Sequence, residues 1–388
     1  MRSWLVVVFG CLVAAFASSA PVPPDPSEAP LWHTAAIGRG MPAVLGTRAY
    51  GLTTDHHVVA LNLADGHELW RRSTGESGWL TEGSRAVIAS DAVVVGDWDV
   101  YAYDAESGAA RWSFHPSSGF GPGVFLGQAA GGRLFTGSPS GSIFALDVAS
   151  GRQAWNAVVN GDGRTTVFEP ATDGAIVVAT YTVFTAPNTG GVVAVDAETG
   201  HERWRFVFPR PSDAALGSYA GGGPVFANDL AIAASGDGTI WALDRRTGVV
   251  RWSLPRLAGP IHGIITATDR DLRSLAVVRG RLIVGSLTGY VVAYDLATQR
   301  EVWRLENGFL GSIAFDDFTS GEGVVYVPYV SGFLLAIDAL GGAVLWQTRN
   351  FQQGFSWPPA VAGDRVIAAG RSGFWAFPAG VPHGPGQP

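Results

Sequence analysis

Residues 194–204 read AVDAETGHERW, and four features of this stretch recur along the chain. An apolar residue precedes Asp196, Gly200 stands four places on, and Trp204 eight places on. The same order appears in ALNLADGHELW, AYDAESGAARW, ALDVASGRQAW, ALDRRTGVVRW, AYDLATQREVW and AIDALGGAVLW. The Trp residues are Trp70, Trp112, Trp155, Trp204, Trp252, Trp303 and Trp346, spaced 42 to 51 residues apart. The Asp is Asn62 in one copy, and the Gly is Gln299 in another.

Apolar alternation before the Asp reads as a strand. The Asp makes a turn through side-chain to backbone bonds, and the Gly supplies a positive φ. The Trp then opens the next strand. Two more strand signals precede each motif, as in AVIAS and DAVVVGD before AYDAESG. Four strands in about 45 residues is the period of a propeller blade. The C-terminal DRVIAAGRSGFWAF lacks its last strand, while Leu31-Trp32 near the N-terminus is a Trp with no motif before it. These two halves predict one split blade that removes free sheet edges. The expected fold is all-β: an eight-bladed β-propeller of four-stranded antiparallel blades over 31–379. Its ring is closed by the N-terminal strand joining the C-terminal blade. Trp32 is then the eighth docking Trp.

Composition agrees with short strands and tight turns. Gly is 52 of 388 residues, charged residues are 15%, and apolar residues are 47%. All 26 basic residues are Arg, which excludes a P-loop or Schiff-base lysine. The net charge of −7 argues against nucleic acid as a partner. Cys11 is the only cysteine and falls in residues 1–17, which read as a signal peptide with Arg2, an apolar run and an Ala-Phe-Ala site. That run is too short for a transmembrane segment. Cys11 lies too early for a lipoprotein box, so a lipid anchor is not expected. Residues 18–30 form a Pro-rich linker and 380–388 a disordered tail. The expected location is secreted or periplasmic, and the expected state a monomer.

The motif resembles the quinoprotein-type (PQQ-like) propeller repeat, A-x-D-x-x-T-G-x-x-x-W, which AVDAETGHERW and ALDRRTGVVRW match closely. The resemblance spans 31–377 and implies Trp side chains wedged between neighbouring blades. One branch of that family resembles quinone-dependent alcohol and sugar dehydrogenases, with pyrroloquinoline quinone (PQQ) and Ca²⁺ in the central funnel. The other resembles BamB, a non-enzymatic scaffold of outer-membrane protein assembly. A chain of this length without a mature Cys pair fits the second, and no catalytic, cofactor or metal residue carries over.

Candidate binding residues cluster in loops. Asp97-Trp98-Asp99 falls between the second and third strands of its blade. Its two carboxylates beside an aromatic suit a cation or a polar peptide group, although a solvated turn is the plainer expectation. Asp316-Asp317 beside an inner strand are the best-placed pair for Ca²⁺. The spacers around 156–168, 180–191, 206–224 and 254–275 bring Tyr181, Phe184, Tyr219 and Arg270, and Tyr329 lies in a further loop. His56-His57 would point to opposite faces of a strand. The expected function is binding of a protein or peptide partner through one loop face, with no cofactor. The alternatives are a PQQ-dependent dehydrogenase with Ca²⁺, and a propeller that binds carbohydrate or the cell envelope.

Overall fold

The computed structural model describes residues 27–36, 38–75, 85–116, 123–185, 188–210, 220, 222–255, 272–286, 289–306, 318–329, 331–348, 357–370 and 372–380. The fold is all-β, and strands pair in chain order as four-stranded antiparallel meanders. The first is Gly38–Leu45, Arg48–Thr53, His57–Asn62 and Glu68–Ser73. The second is Arg85–Ala89, Ala92–Gly96, Val100–Asp104 and Ala110–Phe114. A single parallel bridge, Met41 to Arg85, links the two. The third runs from Phe125–Ala130 to Gln153–Val158. The fourth opens with two short strands, Thr165–Val167 and Ala171–Thr172, which share Ile176–Val183 as partner. Thr189–Asp196 and Glu202–Val207 complete it. The fifth, sixth and seventh end in Val250–Leu254, Glu301–Glu306 and Val344–Thr348.

The last sheet draws on both ends of the chain. Ala360–Ala362, Arg365–Gly370 and Gly373–Pro378 are followed by Trp32–Thr34, with Trp32 opposite Ala376 and Thr34 opposite Phe374. Just before it, Ser27–Glu28 fall within the stretch the sequence assigns to a linker. They instead add a parallel fifth strand to Val344–Thr348. An outer strand presents a row of unpaired backbone groups, and an extended segment beside it satisfies them.

Burial explains the strand types. Ala92–Gly96 (AVVVG) is buried at every position, because sheets pack on both of its faces. Gln153–Val158, an outer strand, buries only Trp155 fully. The core therefore lies between meanders. Phe135, Ile143 and Trp155 pack on Val177, Ala179 and Val193 of the next meander. Trp32, Ile367 and Phe374 of the last sheet pack on Val59 and Leu61 of the first.

The repeated motif has one geometry. Asp196 Oδ1 accepts from the backbone N–H of Glu198 (3.0 Å) and Thr199 (2.8 Å) and from the Thr199 hydroxyl (2.9 Å). Asp104, Asp244 and Asp295 repeat this with Ser107, Thr247 and Thr298. The second carboxylate oxygen binds an arginine that stands directly before the Trp: Arg111, Arg203 or Arg251. Where Val302 holds that place, Arg281 from the second strand pairs with Asp295 instead. These contacts hold the carboxyls well below the usual range. The Ser107 N–H is the largest cause for Asp104, Arg203 for Asp196 and Arg251 for Asp244.

Each indole then reaches the next meander. Its N–H donates to the carbonyl of the residue after the Asp or Asn: Trp32 to Leu63 (2.9 Å), Trp70 to Ala105 (3.3 Å) and Trp112 to Val148 (2.8 Å). Trp155, Trp204 and Trp303 likewise reach Ala197, Arg245 and Ala339. The ring lies flat on the motif Gly. At Gly248, φ is +71° and a Cβ would sit 2.6 Å from the Trp204 ring, so a side chain is disfavoured twice.

Two Trp residues depart from this. Trp252 belongs to the cluster around Leu296, in the turn where Gln299 replaces Gly at φ 57°. There the Gln299 amide itself donates to Leu296 O at 2.8 Å, the carbonyl an indole takes elsewhere. Trp346 faces the last sheet, whose outer strand comes from the other terminus, so no Asp turn is present to receive it. Its indole N–H has no hydrogen-bond partner among the described residues, and the ring stacks on Phe377 at 5.7 Å.

Candidate functional site

Strand direction sorts the loops into two ends. In an antiparallel meander, the loop between strands two and three and the link to the next meander lie at one end. The Asp turns, between strands three and four, lie at the other. Asp97, Trp98, Asp99, Tyr181, Phe184 and Tyr329 therefore share the end opposite the Asp turns. Tyr219, Arg270, Asp316 and Asp317 lie outside the described residues.

Asp97 is not in a solvated turn. It is fully buried, and its Oδ2 lies 2.6 Å from His56 Nδ1, a nearly buried imidazole on the first meander. His56 precedes its strand rather than lying in it. Its φ of 57° throws the ring across to the second meander, while His57 begins the strand. Thr74 N–H and Oγ1 donate to His56 O at 2.9 and 3.1 Å. Asp97 N–H donates to Asp99 O at 2.9 Å, and Asp99 Oδ1 pairs with His115 Nδ1 at 2.6 Å. These contacts join the loop to Thr74 and His115, which follow the outer strands of the first and second meanders. The sequence does contain a signal for the pair. TTDHH and GDWD occupy the same loop in successive repeats, and a polar residue at equivalent loop positions invites a contact across blades.

Of the four aromatic candidates described, only Phe184 is exposed, and Trp98 is half-buried. Tyr181 is buried, its hydroxyl pushed up from its ordinary pKa by burial, with the Arg205 guanidinium 5.4 Å from its ring. Tyr329 is also buried, donating to Gly289 O at 3.1 Å. Both correct the expectation of aromatic surface contacts, because their strand positions face the neighbouring sheet. Phe184 remains 52% exposed. Val158 and Val207, at the same ends of the outer strands of the third and fourth meanders, are 60% and 57% exposed. All three are exposed large apolar groups at one end of two adjacent meanders.

The first strands of six meanders line a single cavity of 680 Å³. Its walls include Met41, Ala43, Val44, Val87, Ile88, Ala129 and Val361, with Arg85, Gln128, Asp173 and Thr319 as polar members. Asp173 is bound to Arg245 at 3.0 Å. A planar quinone needs flat walls and a cation held by several oxygen ligands. The described lining has no aromatic ring and one carboxylate, already paired, so it does not fit PQQ with Ca²⁺. Among the described residues no helix is long and apolar enough to cross a membrane.

The chain matches a family model described as outer membrane protein assembly factor BamB, over residues 25–112, 96–181, 164–306 and 287–379. The BamB of Burkholderia pseudomallei is 25% identical over 319 residues, covering 81% of this chain and 77% of that protein. A polyvinylalcohol dehydrogenase of a Sphingopyxis species is 32% identical over 256 residues, covering 62% of this chain but 35% of the enzyme. The crystal structure of BamB from Moraxella catarrhalis superposes with a TM-score of 0.66 at 18% identity, covering 89% of this chain and 98% of that one. The last comparison shows a propeller fold.

Proposed function

The chain belongs to the PQQ-like propeller family described as outer membrane protein assembly factor BamB, and from that premise we propose that it is a non-enzymatic scaffold. It acts in the periplasm, in outer-membrane protein assembly. In this reading its meanders are eight blades around one axis. Trp32–Thr34 closes the ring, and the Trp series wedges each blade against the next. A protein partner binds at the end opposite the Asp turns, on the third and fourth blades. The observation that supports this most is the exposed trio Val158, Phe184 and Val207 on adjacent blades. Long loops on a rigid scaffold are where binding usually resides. The polyvinylalcohol dehydrogenase match favours an oxidoreductase, and the described cavity walls do not support one.

An affinity pull-down from the native envelope tests the proposal, comparing the parent with Phe184→Asp and with Val249→Asp at the opposite end. Val249 is 61% exposed and serves as the matched control. Loss of a co-purifying assembly protein in Phe184→Asp alone supports the reading. Loss in Val249→Asp alone moves the site to the other end. Quinone-dependent dye reduction by the purified protein refutes the scaffold.

A further inference from the structure

We propose that the central cavity binds a small organic carboxylate with an apolar body, held by Arg85. Arg85 opens the inner strand of the second meander and lines the cavity. Its Nε is buried without a hydrogen-bond partner among the described residues, and Arg85 makes no ion pair among them. Thr319, on the inner strand of the seventh meander, lines the same space, and its Oγ1 is also buried without a partner.

Apart from the exposed Ser320, the other polar side chains described for this lining are already committed. Gln128 Oε1 accepts from Thr172 N–H at 3.0 Å, and the Thr172 hydroxyl donates to Ile176 O at 2.7 Å. Asp173 accepts from the N–H of Ala175 and Ile176, each at 2.9 Å, and pairs with Arg245. What is left is the Arg85 guanidinium and the Thr319 hydroxyl, with the exposed Ser320 beside it, in an open cavity whose walls mix apolar and polar groups. An unpaired guanidinium beside low-dielectric walls attracts an anion more strongly than it would in bulk water. Its planar fork matches a carboxylate through two parallel hydrogen bonds. The hydroxyl can donate to the same group, since it has a free O–H. Met41, Val87, Ile88 and Val361 offer an apolar body the surface it needs, and 680 Å³ is within the range of small-molecule sites. Asp173, the one carboxylate among the described lining residues, is paired with Arg245.

Isothermal titration of the full chain with benzoate, benzamide and inorganic phosphate tests this. Benzoate should bind with unit stoichiometry. Benzamide, with the same body and no charge, and phosphate, with charge and no body, should each bind about tenfold or more weakly. Arg85→Gln should lower benzoate affinity about tenfold or more, and Thr319→Val by a smaller factor. Arg85→Lys, which keeps the charge but not the fork, should fall between parent and Arg85→Gln. It also serves as the readout if Arg85→Gln does not fold. Benzoate binding unchanged in both Arg85 variants overturns the proposal, as does no benzoate binding by the parent. Equal binding of benzamide or of phosphate would refute the carboxylate assignment.

Discussion

The two ends of the strands obey different rules. At one end, an Asp or Asn, a Gly and a Trp repeat; six turns receive the preceding meander's indole and four hold an arginine on the Asp. At the other, four loops share a turn in which Gly141, Gly238, Gly289 or Gly332 N–H donates three residues back, but the side chains they carry differ. One buries a His–Asp pair, one exposes Phe184, and several hold their polar groups in local Ser/Thr–Asp turns. Repetition marks the end that assembles the fold, where every blade faces the same packing problem. Variation marks the end free to recognise something outside the molecule.

The largest effect that could break this division is at Trp204. Trp204→Ala removes a 7%-exposed ring and its bond to Arg245 O. It should cost about 3–5 kcal/mol. Trp98→Ala, at the variable end, should cost well under half of that. Equal losses in chemical denaturation would erase the distinction.

Next in size is the buried pair. Asp97→Ala leaves the His56 imidazole buried beside an apolar group and should cost about 1–3 kcal/mol, with His56→Ala similar. A double variant should lose less than the sum of the singles, because both remove the same contact. Full additivity would show that the two side chains act separately.

Gln299→Gly sharpens the rule at the repeating end. It releases a left-handed non-Gly residue and frees Leu296 O for the Trp252 indole. A gain of up to about 1 kcal/mol is expected. A loss would mean that the Gln299 amide is a better cap than the indole.

The smallest effect per residue is acid sensitivity of the Asp turns. Asp104, Asp196 and Asp244 have carboxyls held well below their unfolded values. Their contribution is therefore complete above about pH 4 and is lost as pH falls through the unfolded value towards the folded ones. Melting temperature should drop more steeply below pH 4 in the parent than in Asp196→Asn, and identical slopes would contradict the assignment.

The repeating end was legible because a turn that must recur writes the same letters each time. AVDAETGHERW carries the strand, the turn, the positive φ and the docking ring in eleven residues. The arginine on the second carboxylate oxygen was missed, since ARW, ERW and VRW read as ordinary surface charge until the turn geometry brings Arg203 onto Asp196. The variable end was legible only as a location. Tyr181 and Phe184 lie three residues apart, and strand alternation together with the end of the strand decides that one is buried and the other exposed. The sequence places His56 within a strand with His57, but its left-handed φ breaks that alternation and puts it before the strand. The cavity, assembled from residues as distant as Met41 and Val361, has no local signature at all.

The central claim is that a protein partner sits on the variable end. Its most direct test is a photo-crosslinking residue placed at position 184 and, separately, at position 249, with irradiation in the native envelope. The account predicts a discrete adduct with an outer-membrane assembly protein from position 184 and none from position 249. An adduct from position 249 alone, or none from either, would contradict it.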